Sequence, residues 1–519
     1  MRPVTAVSLR KLFPTASFVG CVDWRVTEAY DRSSEVQSGA LFAALPGTLE
    51  HGADHLPQAI LQGARCLLVD QAIAHCALPQ CIVRDVRTAF GQLSHALYRN
   101  PTRELRLAGV TGTNGKTTTT YMIRSILTAA GHPTGLSGTI EVDHGSQTVP
   151  ARLTTPGARE LAYWASGLPH AGRRHAAMEV SSHALDQCRL AGTQLDTAVV
   201  TNLTQDHLDY HGDMAEYHRA KSRIFDHLKP TGVAILNADD PGAMSFQNAA
   251  RRASHLITFG LRQPAMLQGL IRDTTREGTT FEVHDRETGQ CTSLRTPLIG
   301  PHNVSNALAA IAACRSIGIE LAAMAPGLAA LSHVPGRMQR IDTGEPFTVW
   351  VDYAHTDDGL QRAIAAVRPL IAGQLTLVFG AGGDRDSSKR PRMGLAAAAA
   401  DRVIITSDNP RSECPAAIAR DILAGWPPDQ PAPAVILDRK EAIFAAISAA
   451  QPGDGVLVAG KGHETYQQIG TEKRPFCDCQ TCYQAMEQRH ATGNVPAPHT
   501  LPLWFTALSS ERERRSVPS

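Results

Sequence analysis

The segment Gly109–Thr118 (GVTGTNGKTT) follows a strand-like apolar run, Leu105–Val110, and opens a helical pattern. Glycines in such a turn let backbone N–H groups approach phosphate oxygens, and the helix N-terminus adds partial positive charge. The spacing differs from the strict GxxxxGK[ST] form, because Val110 stands where the first glycine would be. A chance glycine-rich turn is therefore the alternative. Strand, GKT triplet and helix together favour a phosphate-binding loop.

Two side chains of this loop have the chemistry that a nucleotide requires. The Lys116 ammonium can neutralise the β- and γ-phosphates, and the Thr117 hydroxyl can ligate Mg²⁺. We therefore predict a nucleotide-binding protein.

Strand-like runs and helical patterns alternate on both sides of the loop, which indicates parallel sheets covered by helices. The strand-like runs are Ala40–Leu45, Cys66–Val69, Leu105–Val110, Ala176–Val180, Thr197–Thr201, Gly232–Leu236, Thr348–Val351, Leu375–Phe379, Arg402–Ile405 and Gly455–Ala459. We interpret Asn100–Arg103 as a linker, because Asn-Pro stops a helix. The predicted α/β domains span residues 1–102, 103–334 and 335–492, and a tail follows at 493–519.

The composition excludes several classes of protein. The 519 residues carry 50 Lys and Arg against 49 Asp and Glu, a net charge of +1, which argues against binding nucleic acid or anionic membrane through bulk charge. There is no apolar run of ~18 residues that would predict a membrane-spanning helix, and the N-terminus lacks a secretory pattern. Eleven cysteines, an odd number and mostly isolated, predict reduced thiols in a cytoplasmic protein.

Acidic and histidine side chains follow two of the predicted strands. Glu179 ends one strand, and Asn202–Gly212 (NLTQDHLDYHG) follows the next. Ligands of α/β sheets bind at such strand ends, so a divalent ion or a phosphate fits here. The alternative is a helix cap at Asp206 with surface histidines. Zinc at His207 and His211 is a weaker reading, because the glutamate of HExxH is missing.

Further along, helical spacing places Tyr217 and Lys221 on one face of a predicted helix. By itself, a lone lysine on a helix is usually a solvated side chain. The residues by themselves thus indicate an ATP-dependent enzyme that uses Mg²⁺.

In order along the chain, the motifs resemble the Mur ligase family, ATP-dependent amide-forming enzymes of bacterial cell-wall synthesis. Besides the loop, they are Thr154-Thr155-Pro156, Glu179–Leu185 (EVSSHAL), Asn202–Gly212, Tyr217–Phe225 (YHRAKSRIF), Gly300–Asn306 (GPHNVSN), Val334–Met338 (VPGRM), Val351–Thr356 (VDYAHT), Phe379–Met393 (FGAGGDRDSSKRPRM), Ser407–Arg411 (SDNPR) and Gly460–Gln467 (GKGHETYQ). The resemblance implies a central P-loop-type ATPase domain between an N-terminal UDP-binding domain and a C-terminal Rossmann-like domain.

The resemblance also implies roles for individual residues. Two Mg²⁺ ions would be held by Thr117, Glu179, His207 and Lys221, with Lys221 carbamylated by CO₂ into an anion, and Lys116, His207 and Lys221 would be catalytic. The ATP-binding positions would be Gly112, Thr113, Asn114, Gly115, Lys116, Thr117, Thr118, Asn303, Asn306, Arg337 and Asp352. The substrate UDP-MurNAc-L-Ala-D-Glu would meet Ser33, Thr154, Thr155, Ser181 and Arg189. ATP would convert its glutamate carboxylate into an acyl phosphate that an amine attacks.

The form of the DNPR motif resembles that of ligases that use meso-diaminopimelate. Arg411 would grip the distal carboxylate and Glu464 the distal ammonium, and L-lysine lacks that carboxylate. The complete implied pocket is Arg385, Asp408, Asn409, Arg411, Gly460 and Glu464. The alternative is that Arg411 caps a helix or pairs on the surface.

The chain departs from the family pattern in several places. Arg32-Ser33-Ser34 keeps only Ser33 of the uridine-binding motif, and His51–His55 (HGADH) is altered as well. Gln339 and Asp357 replace a glutamate and a proline, and Cys477, Cys479 and Cys482 replace an acidic segment. These cysteines could hold zinc with His490 or be reduced thiols in a loop.

The rival interpretations are a paralogous ligase acting on another carboxylate or amine, a folate-polyglutamate ligase, and a silent binding protein. If the chain is the Mur-type ligase that the resemblance implies, we expect a cytoplasmic monomer.

Overall fold

The computed structural model describes residues 5–47, 50–342 and 344–492. Three large sheets follow one another along the chain, and helices pack against them, which confirms the predicted α/β class. The predicted tail, 493–519, lies outside the described residues. In the part that is described, no helix is long and apolar enough to cross a bilayer.

The N-terminal part forms a five-stranded sheet of order β2-β7-β6-β5-β4, and β1 pairs with β3. Its strands are β1 (Val7–Ser8), β2 (Ser17–Val19), β3 (Arg25–Val26), β4 (Ala29–Tyr30), β5 (Leu41–Ala43), β6 (Cys66–Val69) and β7 (Gln80–Ile82). Its helices are α1 (Leu9–Leu12), α2 (Leu56–Leu61) and α3 (Val86–Leu97).

The predicted linker, Asn100–Arg103, lies between this sheet and the next and is packed into the protein. Pro101–Arg103 forms a turn of 3₁₀ helix in which Pro101 and Thr102 are buried. The Thr102 hydroxyl accepts a hydrogen bond from the Gln194 N–H at 3.0 Å. The helix α3 ends at Leu97, before Asn100-Pro101 is reached, and tertiary packing fixes the residues that follow.

The central sheet has eleven strands in the order β11-β10-β9-β12-β8-β13-β14-β15-β16-β17-β18. They are β8 (Arg106–Thr111), β9 (Thr134–Ser137), β10 (Glu141–Asp143), β11 (Thr148–Pro150), β12 (His175–Glu179), β13 (Leu195–Val200), β14 (Leu228–Asn237), β15 (His255–Gly260), β16 (Leu267–Thr275), β17 (Gly278–Asp285) and β18 (Cys291–Thr296). The prediction of a parallel sheet is confirmed for the seven adjacent strands β9-β12-β8-β13-β14-β15-β16. On one side β10 and β11 extend the sheet with antiparallel pairs, and on the other side β17 and β18 do so.

Helices cover both faces of the central sheet. They are α4 (Lys116–Ala129), α5 (Ala158–His170), α6 (Ser182–Asp186), α7 (Leu208–His211), α8 (Met214–Ser222), α9 (Pro241–Met244), α10 (Gln247–Ala250), α11 (Pro301–Ser316) and α12 (Leu321–Ala330). One core contains α4, α11 and α12, and the other contains Trp164 of α5. Strands β8, β12 and β13 are adjacent and parallel, so their carboxyl ends meet at one edge.

The C-terminal part forms a six-stranded sheet of order β19-β20-β24-β21-β22-β23 and a β25–β26 hairpin. Its strands are β19 (Gln339–Ile341), β20 (Thr348–Asp352), β21 (Leu375–Phe379), β22 (Arg402–Ile405), β23 (Ala434–Val435), β24 (Gly455–Ala459), β25 (Tyr466–Ile469) and β26 (Glu472–Pro475). Its helices are α13 (Asp357–Val367), α14 (Lys389–Ala397), α15 (Pro415–Leu423), α16 (Arg439–Ala449) and α17 (Asp478–Thr492). The central strands β20, β24, β21 and β22 are parallel.

Candidate active site

The glycine-rich turn joins the end of β8 to the start of α4, as predicted. Gly115 has φ +86°, and a Cβ there would lie 2.3 Å from Asn306 Oδ1, so both the backbone and the space require glycine. The end of β13 holds the turn in place. The Asn114 N–H donates to Asn202 Oδ1 at 2.9 Å, and the Thr201 hydroxyl donates to the Asn114 carbonyl at 2.6 Å.

The first two residues of α4 bring a cation and a hydroxyl to the turn. Lys116 Nζ donates to the carbonyls of Gly112 and Thr113 at 2.8 and 2.9 Å, and burial lowers the pKa of this ammonium. Thr117 Oγ1 lies 3.0 Å from a carboxylate oxygen of Glu179, at the end of β12. Thr118 is buried beside them.

The Glu179 carboxylate is held by α4 and by the turn between β9 and β10. Besides the Thr117 hydroxyl, it accepts hydrogen bonds from the Thr139 N–H at 2.7 Å and the Thr139 hydroxyl at 2.9 Å. A carboxylate in contact with hydroxyl oxygens provides the hard ligands that Mg²⁺ prefers. The residues present therefore fit a magnesium ion.

His207 follows β13 with φ +56° and is the residue that precedes α7. Its Nε2 lies 3.4 Å from Asp206 Oδ2. Burial lowers the pKa of the His207 imidazole to about 3, so the ring is neutral and can ligate a metal. The alternative of a helix cap at Asp206 is wrong, because its carboxylate accepts from the His207 N–H, outside the helix. His211 is buried rather than on the surface and contacts the Ser182 hydroxyl.

Lys221, on α8, is fully buried. Its Nζ donates to the Gly112 carbonyl at 3.0 Å and lies 4.6 Å from the centre of the Tyr217 ring, so the predicted shared face is confirmed. Burial, and next the charge of Lys116, place the pKa of Lys221 well below its usual value. This shift favours the neutral amine, which is the form that reacts with CO₂.

Two cavities meet at the phosphate loop. One, of about 150 Å³, is lined by Lys116, Thr117, Glu179, His207 and other residues around the loop. The other, of about 630 Å³, is lined by residues of both the central and the C-terminal parts, among them Asn114, Gly115, Asn303, Asn306, Arg337 and Asp352. Asn303 Nδ2 donates to the Ile299 carbonyl at 2.8 Å, which fixes its side chain against the cavity wall.

Side chains of the C-terminal part reach the loop across the cavities. Arg337 Nη2 donates to Thr117 Oγ1 at 3.2 Å and stacks on the Tyr353 ring at 4.3 Å. Asn114 Nδ2 donates to Asp358 Oδ2 at 3.1 Å. The Asp352 carboxylate accepts the Met338 N–H at 2.6 Å, and this bond holds the chain that follows Arg337.

The predicted residues for the acidic substrate divide into two groups. Thr154, Thr155, Ser181 and Arg189 form one network beside Glu179. In that network the Thr155 hydroxyl donates to the Glu179 carbonyl at 2.9 Å, and Arg189 Nη1 donates to the Thr155 carbonyl at 3.0 Å. The Thr139 and Thr154 hydroxyl oxygens lie 3.1 Å apart, and the Ser181 N–H donates to Thr155 Oγ1. Ser33 lies apart, in the N-terminal part, with its hydroxyl bonded to Gln58.

The predicted amino-acid pocket forms where β22 and β24 end. Asn409 Nδ2 donates to Glu464 Oε2 at 2.7 Å, and Arg411 Nη1 donates to the Gly383 carbonyl. Gly460 has φ +111°, and a Cβ there would lie 2.5 Å from the buried Asp408 carboxylate. Arg385 lies 3.9 Å from Asp209 of α7, an ion pair between the C-terminal and the central parts.

Sequence reasoning missed Lys461, which has a fully buried side chain at the centre of this pocket. Its Nζ donates to Asn409 Oδ1 at 3.0 Å and to Glu464 Oε2 at 2.7 Å. Glu464 therefore forms an ion pair with Lys461 within the protein, before any substrate ammonium binds. The position of Lys461 between two glycines could have indicated a binding role, but a lysine in such a turn is usually exposed to solvent.

The cysteine segment begins α17 and does not form a loop. Cys482 is buried in the core, and Cys479 Sγ lies 3.6 Å from Gln339 Oε1, so two of the departures from the family pattern contact each other. Among the described residues these thiols do not converge with His490 as metal ligands. His490 Nε2 lies 2.5 Å from Glu345 Oε1 instead.

A glycine-rich loop at the carboxyl end of a central parallel strand, with hard oxygen ligands beside it, is typical of proteins that bind nucleotide phosphates. The model of the Mur ligase middle domain matches residues 110–314, and that of the Mur ligase, glutamate ligase domain matches residues 336–462. Over 464 residues the chain is 45% identical to the UDP-N-acetylmuramoyl-L-alanyl-D-glutamate--2,6-diaminopimelate ligase of Thermosynechococcus vestitus, which covers 88% of this chain and 92% of the relative. The chain belongs to the Mur ligase family.

Solved structures agree with this assignment. One described as a UDP-N-acetylmuramoyl-L-alanyl-D-glutamate--2,6-diaminopimelate ligase matches with a TM-score of 0.66 at 31% identity, over 94% of this chain and 100% of that one. The MurF ligase of Thermotoga maritima, solved in complex with ADP, matches with a TM-score of 0.60 at 16% identity, over 90% of this chain and 98% of that one. The second likeness concerns the fold alone.

Gly115→Ala should weaken ATP binding at least about tenfold, since left-handed alanine is strained by ~1–2 kcal/mol and its methyl would displace Asn306. Gly131→Ala is the matched control, because Gly131 has φ +85° at the other end of α4 with no atom within 4 Å of the added Cβ. Calorimetric titration with ATP measures both. Equal affinities of the two variants would contradict the role of the loop.

Proposed function

We propose that this ligase uses ATP to join meso-diaminopimelate to the D-glutamate of UDP-MurNAc-L-Ala-D-Glu. The observation that carries the proposal is the 150 Å³ cavity, where the phosphate-loop lysine, the Glu179 carboxylate and His207 line one space. A phosphoryl group and a carboxylate can react there while water is largely displaced. The identity with a relative named for this reaction supports the choice of substrates.

The chemistry follows from the poor leaving group of a carboxylate. Transfer of the γ-phosphoryl group to the glutamate carboxylate gives an acyl phosphate and ADP. The amine attacks the acyl carbon, and the tetrahedral intermediate collapses to the amide with loss of phosphate. Lys116 and Arg337, which both reach the phosphate loop, offset the negative charge of the transferring group.

Two Mg²⁺ ions fit the oxygen and nitrogen ligands around the loop. Thr117, Glu179 and His207 would hold them with a carbamate on Lys221, and the ions supply charge neutralisation between carboxylate and phosphates. Lys221 as a cation would repel these ions. The burial that lowers the pKa of Lys221 favours its neutral amine and so supports the carbamate, which is an anion of carboxylate shape.

The contacts of the C-terminal part support closure before chemistry. Arg337 and Asp358 reach Thr117 and Asn114 from the other side of the cavity. Water would hydrolyse an acyl phosphate, so these contacts protect the intermediate. We propose that the three sheets divide the work: the first binds the UDP end, the second ATP and metal, and the third the incoming amino acid.

The distal end of diaminopimelate carries a carboxylate and an ammonium, and the pocket offers partners for both. Arg411 presents a guanidinium to the carboxylate, and the Glu464 carboxylate, shared with Lys461 and Asn409, meets the ammonium. L-Lysine has no distal carboxylate that could pair with this guanidinium. We further propose that the enzyme acts in the cytoplasm as a monomer.

A paralogous ligase for another carboxylate is the second candidate. It is favoured by the altered N-terminal motif, in which Ser33 is bonded to Gln58 within its own domain.

Release of phosphate by the purified protein distinguishes these functions. We expect rapid release when ATP, UDP-MurNAc-L-Ala-D-Glu and meso-diaminopimelate are all present, slower release when L-lysine replaces diaminopimelate, and none when ATP, the UDP-dipeptide or the amine is left out. Release with another carboxylate would support the paralogous ligase. No release with any pair of carboxylate and amine substrates would mean a silent binding protein. Faster turnover of L-lysine than of diaminopimelate would overturn the choice of amine.

Lys221→Ala should lower kcat about 100-fold or more, because the anion that holds the metal is lost. Added formate or acetate should restore part of the activity by filling the space with a carboxylate. Lys440→Ala, at an exposed position of α16, is the control and should keep full activity. Full activity of Lys221→Ala at low CO₂ would contradict the carbamate.

Arg411→Ala should raise KM for diaminopimelate roughly 10–100-fold, the value of a lost charge-assisted hydrogen-bond pair of ~1.5–3 kcal/mol. KM for ATP should not change. Arg420→Ala, exposed on α15 in the same domain, is the control. Steady-state kinetics with each substrate varied in turn would refute the role of Arg411 if the KM for diaminopimelate stayed the same.

A further inference from the structure

The antiparallel hairpin β17–β18, at the end of the central sheet, presents three metal-binding side chains on one face. Phe281, Val283 and Asp285 of β17 point into the protein and are buried. Glu282 and His284 alternate with them and point outward. Cys291 of β18 is the direct partner of His284 in the register and is exposed.

The ligand atoms of these side chains already converge. His284 Nε2 lies 3.4 Å from Glu282 Oε2 and 3.5 Å from Cys291 Sγ, and all three atoms lie within 4.8 Å of one another. Ligands at ordinary Zn–N, Zn–O and Zn–S distances with tetrahedral angles are ~3.3–3.7 Å apart. The two measured separations match those of a zinc coordination sphere.

The surroundings also fit a metal. Arg272 of β16 donates to Glu282 Oε2 at 2.7 Å and so fixes the carboxylate, the kind of outer contact that orients metal ligands. The register of two paired strands fixes the backbone under all three ligands. The exposed position leaves the fourth site open to water.

We propose that Glu282, His284 and Cys291 form a Zn²⁺ site, separate from the magnesium ligands, in which water completes the coordination. A thiolate and an imidazole select zinc over magnesium. On binding, the Cys291 thiol releases its proton to solvent and forms the Zn–S bond. Because one ligand comes from β18 and two come from β17, the ion would fasten the outermost strand of the sheet to its neighbour.

Cobalt(II) titration of the full-length protein in magnesium-containing buffer tests the site. We expect a thiolate-to-cobalt charge-transfer band that saturates at one equivalent and disappears when Zn²⁺ is added. Cys291→Ser should abolish the band, and Glu282→Gln should weaken cobalt binding at least about tenfold. Cys414→Ser, which removes another exposed thiol, is the matched control and should keep it.

His284→Ala provides an independent check, because it leaves the thiol in place and should still reduce the affinity. Absence of the band from the unmodified protein would overturn the proposal. A band that persists in Cys291→Ser would also overturn it, because the cobalt would then be bound by other thiols. Since neither result depends on amide formation, the zinc site and the proposed ligase activity can fail separately.

Discussion

Two lysine amines share one backbone carbonyl at the centre of this enzyme. Lys116 Nζ and Lys221 Nζ lie 2.8 and 3.0 Å from the Gly112 oxygen, and Lys221 is fully buried. Two ammonium groups cannot both be accommodated so close together away from water. The conflict is relieved if Lys221 is neutral, and a neutral amine can become a carbamate. The fold thus favours the neutral form of a lysine that lies beside the predicted phosphate loop.

The other parts of the site depend on this arrangement. Glu179 and His207 approach the same cavity because β8, β12 and β13 are parallel neighbours whose ends meet at one edge. Arg337 contacts Thr117 from the C-terminal part. Residues of the central and the C-terminal sheets therefore face the same cavity.

Features of the site that depend on local sequence could be predicted. The phosphate loop and the shared face of Tyr217 and Lys221 follow from a turn and from helical spacing, and the structure has both. Features set by distant packing could not be predicted. Burial of residues 101–102 and the hydrogen bond from Lys461 Nζ to Asn409 Oδ1 depend on segments far away in the chain. The antiparallel strands β10, β11, β17 and β18 gave no signal distinct from that of parallel strands.

An oxygen-isotope experiment tests the central claim, formation of an acyl phosphate from ATP, most directly. The glutamate carboxylate of UDP-MurNAc-L-Ala-D-Glu is labelled with ¹⁸O and turned over with ATP and diaminopimelate, and the released phosphate is analysed by mass spectrometry. One ¹⁸O atom in each phosphate is the predicted result, because the carboxylate oxygen leaves with the phosphoryl group. Phosphate without ¹⁸O would contradict the account, since the amide would then form without phosphorylation of the carboxylate.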